Sequence, residues 1–131
     1  MISNRSVPEA AVIPELPYPD VREAAEWLSR AFGFRERLQI GDHRAQLVFE
    51  SGAVIAIKGD APGSTLLVRV ADADAHHAQA ASAGAKILGE PEDYPYGERQ
   101  YSAVDLGGHR WTFSQSTADV DPAEWGGTLK E

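Results

Sequence analysis

The chain has 131 residues, 43% hydrophobic and 24% charged, with no cysteine and a formal charge of −8. One soluble domain with its own core fits this length; the missing cysteine excludes disulfides, thiolate metal sites and a cysteine nucleophile, and the acidity argues against nucleic acid, whose phosphates need a basic surface. No apolar run approaches a membrane span, and Met1–Pro8 has no signal-peptide core, so a cytoplasmic location is expected.

Residues 1–9 read as a loose arm. Ala10–Leu16 is an apolar stretch expected to form a first strand, with Pro14 placing it at a sheet edge or a bulge. Asp20 is an N-cap for a helix, and Glu23 three residues later fits a capping box. Val21, Ala24, Ala25, Leu28, Ala31 and Phe32 recur at helical spacing, and Gly33 is the stop. Strands are expected over Phe34–Ile40, His43–Phe49 and Ala53–Lys58, with turns at Gly41-Asp42 and Glu50-Gly52. Gly59–Ser64 is a turn-rich linker.

The order then repeats. Thr65–Val70 reads as a strand, Asp72 or Asp74 caps an alanine-rich helix, and Gly84 stops it. Ala85–Leu88 is a short strand, Glu90–Pro95 an acidic loop, and Glu98–Val104 a strand. Gly107-Gly108 then turns the chain into a last strand in which Trp111 and Phe113 alternate with Arg110, Thr112 and Ser114. The tail from Thr117 carries Trp125, expected to dock on the domain or on a partner subunit. Asp20 to Gly33 and Asp72 to Gly84 mark two similar halves. The reading is a single domain, 1–131, with module one at about 10–58, module two at about 65–115 and a tail at 116–131. Its fold class is α+β, two β-α-β-β-β modules forming curved mixed sheets around a cleft.

Three stretches, Leu16-Pro-Tyr-Pro-Asp20, Ala25-Glu-Trp-Leu28 with Phe32-Gly-Phe34, and Asp105-Leu-Gly-Gly-His-Arg-Trp-Thr-Phe113, together resemble the vicinal-oxygen-chelate superfamily. That group includes glyoxalase I, extradiol dioxygenases, and the fosfomycin- and bleomycin-resistance proteins. The resemblance implies four inward strand positions that hold a metal in the metal-dependent members. Counted from the matched stretches, they fall near Ile13, Ala56 and Thr65 and at Thr112. Isoleucine and alanine offer no donor and threonine a poor one. No metal and no cofactor are therefore expected, and the resemblance favours the bleomycin-resistance branch: a homodimer binding a small molecule, for instance a cationic antibiotic. No catalytic residue is assigned. The candidate lining comprises Glu15, His43, Val54, Ala56 and Lys58 from the first half. From the second half it takes Thr65, Leu67, Arg69, Tyr101, Arg110, Thr112 and Ser114. Tyr101 is compatible with either face of its strand.

The alternatives are a lyase, isomerase or dioxygenase-related enzyme of the same superfamily, using Glu15 and His43 or an unidentified metal, and a partner-binding module that works through the tail. His76-His77 reads as a solvated helix face, because adjacent helical residues diverge by about 100° and cannot chelate together. His109, in a tight turn, is expected to be exposed.

Overall fold

The computed structural model describes residues 4–61 and 64–129. The first module runs β1 (Glu15–Tyr18), α1 (Val21–Phe32), β2 (Arg35–Ile40), β3 (Arg44–Phe49) and β4 (Gly52–Lys58). The second runs β5 (Thr65–Arg69), α2 (Ala73–Ser82), β6 (Lys86–Ile87), β7 (Glu92–Tyr94), β8 (Glu98–Val104) and β9 (Arg110–Ser116). The sheets are ordered β1-β4-β3-β2 and β5-β9-β8-β6, with β7 also on β8. In each, the strand before the helix lies parallel to the last strand of the module. The α+β duplication read from the sequence is the observed architecture. No described helix is long and apolar enough to cross a membrane.

The helix boundaries follow the caps. Asp20 accepts the Glu23 N–H at 3.0 Å, and Gly33 closes α1 at φ 81°. Asp72 does the same for α2, accepting the Ala75 N–H at 3.0 Å. Ala83 caps its end, and Gly84 follows at φ 88°.

Three expected segments differ. The first strand is Glu15–Tyr18, later than Ala10–Leu16. Pro14 has no N–H to donate, and the pairing to β4 begins when its carbonyl accepts the Ile55 N–H at 2.9 Å. Pro17 is tolerated because β1 is an edge strand. The acidic stretch expected as a loop contains β7, with Glu92–Tyr94 paired to Gln100–Glu98. β6 and β7 lie along the same edge of β8, so together they act as one interrupted strand. The arm is also less loose than expected: Gln46 donates to the Ser6 carbonyl, and Arg37 to that of Arg5, each at 2.9 Å. Residues 1–3 of the arm, Pro62 and Gly63 of the linker, and the last two residues of the tail lie outside the described residues.

One core joins the modules. Leu16, Ala45, Leu47, Val54 and Ala56 face it from the first sheet, and Ala103, Trp111 and Phe113 from the second. Phe32, at the end of α1, packs its ring 5.3 Å from Trp111 and 4.9 Å from Phe113, centre to centre. Burying a side chain of this kind contributes about 1.5–3 kcal/mol. The opposite face of each sheet turns away from this core.

Candidate functional site

Paired strand residues present their side chains on the same face. The register therefore says which residues share the open face of the second sheet. Thr65, Arg110 and Val104 form one row; Leu67, Thr112 and Ser102 the next; Arg69, Ser114, Gln100 and Glu92 the third. Ser116, Glu98 and Tyr94 close it. All six residues taken from β5 and β9 as candidate lining lie here. Leu67, on the edge strand β5, is 70% exposed, whereas Ser114 is buried.

This floor is cross-linked by its own polar groups. The Ser102 and Thr112 hydroxyls lie 2.8 Å apart. Gln100 donates to the Ser114 hydroxyl at 3.0 Å, and Ser114 donates to Glu98 at 2.6 Å. Arg69 donates to the Ser116 hydroxyl at 2.7 Å. Hydrogen bonds from Ser114 and then Ser116 hold the Glu98 carboxyl below its ordinary value; partial desolvation opposes them and the nearby Arg69 charge adds to them. Such a lattice fixes hydroxyl and carboxylate positions before any ligand arrives, the preorganisation that small-molecule sites need.

The first-half candidates divide. Val54, Ala56 and Lys58 share a face, but it is the face of Leu16 and Tyr18. Val54 and Ala56 are buried in the core beneath α1. Glu15 points the other way, with Ile55 and Gln46, and its carboxylate accepts from Arg44 at 2.7 Å. Glu15 therefore does not join Val54 and Ala56, as the sequence reading had it. Tyr101 pairs with Phe113 and is buried on the core side. His43 is exposed in the turn between β2 and β3. Ser102, Gln100, Glu98, Glu92 and Tyr94, which the sequence reading left out, complete the open face; the polar alternation of β8 was the available signal.

Two histidine readings are overturned. His76 is buried, not solvated. Its Nε2–H donates to the Phe32 carbonyl at 3.0 Å, and its Nδ1 accepts the Tyr101 hydroxyl. Burial lowers its pKa below the ordinary 6.5, against the opposing pull of the Phe32 carbonyl. Burial likewise raises the Tyr101 hydroxyl. His109 is 0% exposed: its Nε2–H donates to the Pro17 carbonyl at 2.8 Å, and its Nδ1 accepts the Ser64 N–H at 3.3 Å. Both are structural links between modules.

A concavity of about 690 Å³ lies between the β3–β4 hairpin and β5. Its walls are apolar, chiefly Phe34, Phe49, Leu66, Val68 and Trp111, with Arg69 and Glu50 at its margin.

The four positions implied for a metal do not make a donor set. Ala56 is in the core. Thr65 and Thr112 lie on the open face, where the Thr112 hydroxyl meets Ser102. Among the described residues no three histidine, cysteine, aspartate or glutamate side chains converge. These residues do not fit a tightly held divalent ion.

The family model of the Glyoxalase/Bleomycin resistance protein/Dioxygenase superfamily matches residues 11–113. The chain belongs to that superfamily. TioX from Micromonospora sp. ML1 is similar in structure, with 34% identity and a TM-score of 0.74 over 80% of this chain and 97% of its own. TnmS3, an antibiotic binding protein from Streptomyces sp. CB03234, is 21% identical, with a TM-score of 0.68 over 85% and 98% of the two chains. A glyoxalase-related enzyme from Fulvimarina pelagi is 15% identical, with a TM-score of 0.69 over 82% and 88%. The last two likenesses speak to the superfamily fold alone. No curated protein matches the sequence.

Proposed function

We propose that this superfamily member is a metal-free, small-molecule binding protein of the bleomycin-resistance type, acting as a cytoplasmic homodimer. The observation that carries the reading is the open face of the second sheet. It keeps hydroxyl, carboxylate and guanidinium groups in a cross-linked array beside the exposed Leu67, and the resemblance puts poor donors, Thr65 and Thr112, at or near two of the positions that hold a metal in the metal-dependent members. The face can recognise a ligand by hydrogen bonds and apolar contact, and it has no evident set of groups to transform one. The antibiotic binding of TnmS3 agrees with this reading.

The shape supports a homodimer. Both helix-side faces are used in one core, so enclosing the second-sheet face takes a second copy. A twofold arrangement sets the second-sheet face of one chain against the first-sheet face, with Glu15 and Arg44, of its partner.

The test has two parts. Native mass spectrometry of protein purified without added metal, repeated after zinc or nickel, is expected to show a dimer with no stoichiometric metal. One tightly held ion per cleft would reinstate the enzyme reading. A thermal-shift screen of small molecules is then expected to find ligands whose effect disappears in Thr112→Arg, which fills the floor. Ligands that stabilise both forms equally would place binding elsewhere.

A further inference from the structure

Beside the open face stands a run of aromatic rings that the fold itself does not require. Tyr94 and Tyr96 stack with ring centres 5.5 Å apart, and Tyr96 lies 5.6 Å from Trp125. Trp125 ends a 3-10 turn, Pro122–Trp125, that is capped by Asp121 at its start and closed by Gly126 at φ 92°. The turn buries none of its residues. Trp125 is 52% exposed and Tyr94 39%. A tail that seeks burial hides its tryptophan; this tail presents one.

The run is also tied to the floor of the face. Tyr94 pairs with Glu98 and shares its face, and Tyr96 donates its hydroxyl to Gln100, which bonds Ser114. The Glu92 charge raises the Tyr94 hydroxyl above its ordinary value, and the Arg110 charge only partly opposes it.

Charge decides what the rings receive. The segment that carries both tyrosines has Glu90, Glu92, Asp93 and Glu98 against Arg99 alone. Arg99 is already bonded to Asp74 and Asp93. The tail adds Asp119, Asp121 and Glu124, with Lys130 the one base from Thr117 onward. Aromatic faces attract cations through their quadrupole, and an acidic surround strengthens the attraction. A flat ligand gains ring-on-ring contact that a compact cation does not.

We infer that Tyr94, Tyr96 and Trp125 form a stacking platform for a planar aromatic cation whose remainder lies on the second-sheet face. This rests on the reading of that face as a small-molecule site and narrows the ligand class.

The probe is proflavine, a flat acridine cation, titrated into the full-length protein by calorimetry and by quenching of tryptophan emission. Tetraethylammonium serves as a cation with no ring and anilinonaphthalene sulfonate as a flat anion. Proflavine is expected to bind, and tetraethylammonium to compete poorly. Trp125→Ala is expected to weaken proflavine at least about fivefold, within the range of one cation–aromatic contact. Glu124→Lys is expected to weaken it in the same direction, with circular dichroism reporting an intact fold in both variants. Thr112→Arg separates the two proposals. Binding that is lost in Thr112→Arg but unchanged in Trp125→Ala overturns the platform and leaves the sheet face standing. Binding unchanged in both removes the sheet face as well as the platform. Preference for the sulfonate over proflavine overturns the charge assignment, and a wild-type protein that binds none of the flat probes overturns the platform.

Discussion

The Tyr18 hydroxyl donates to the Asp105 carboxylate across 2.7 Å, joining the first strand of one module to the closing hairpin of the other. Asp105 also accepts the Trp111 indole N–H and the backbone N–H groups of Gly107 and His109, each at 2.9 Å. Its residue is only 5% exposed. Burial first, and then the Asp105 charge and bond, raise the Tyr18 hydroxyl well above its ordinary value, so it stays a donor. Tyr18→Phe removes one charge-assisted bond and is expected to cost about 1.5–3 kcal/mol. Asp105→Ala strands several donors together and is expected to cost about 3 kcal/mol or more. Urea unfolding of both variants checks the order; equal, small losses would show that the hub contributes little.

Gly97 fixes the tail. A Cβ there would sit 2.4 Å from the Ala118 carbonyl oxygen, and the residue has φ 82°. A backbone carbonyl cannot swing aside as a flexible side chain can. The same tail is bonded to Gly97, whose carbonyl accepts the Thr117 N–H at 2.8 Å. Gly97→Ala is expected to destabilise by about 1–3 kcal/mol and to move the tail with it. The check is fluorescence: Trp125 loses Tyr96 and becomes more accessible to acrylamide, while the buried Trp111 does not. Unchanged quenching would mean that the tail holds without this turn.

His76 makes stability depend on pH. Its folded pKa is lowered, so the folded chain refuses a proton that the unfolded chain accepts. The contribution is intact above the ordinary value of 6.5, declines as pH falls below it, and is fully lost below the lowered folded value. The groups packed around the ring, Phe32, Phe49, Tyr101 and Phe113, offer no carboxylate to rescue the cation. The wild type is therefore expected to lose denaturant resistance between pH 7.5 and 5.5. His76→Gln is expected to start less stable and lose less over that interval. Parallel curves for the two proteins would assign the pH dependence to other groups.

Both histidines that bind the modules escaped a sequence reading, and for the same reason. His76 finds its acceptor 44 residues away and His109 finds one 92 residues away. Nothing local distinguishes a helical histidine in water from one that donates to a distant carbonyl. Helix caps lay within five residues, so Asp20, Gly33 and Asp72 could be read directly. Half of the candidate site could be read for a similar reason. In β9 polar and apolar residues alternate, and the polar set lies on the open face. In β4, Ala53–Ile57 is apolar throughout, so alternation could not tell the face of Val54 and Ala56 from that of Ile55. Only the pairing of Glu15 with Ile55 resolved it.

Leu67 tests the dimer. It lies on β5, an edge strand of the second sheet, and is 70% exposed. An uncovered edge with an apolar centre favours association unless something caps it. The proposed twofold cleft would close over this position. Sedimentation velocity is expected to show a dimer at micromolar concentration, and Leu67→Asp is expected to raise its dissociation constant about tenfold or more, the scale of an interface anchor. The substitution adds a charge to an exposed site and leaves the core untouched, so circular dichroism should not change. A wild-type chain that sediments as a monomer at every concentration would remove the second copy from the site, leaving the single open face and the apolar groove beside β5 as the surfaces a ligand could use.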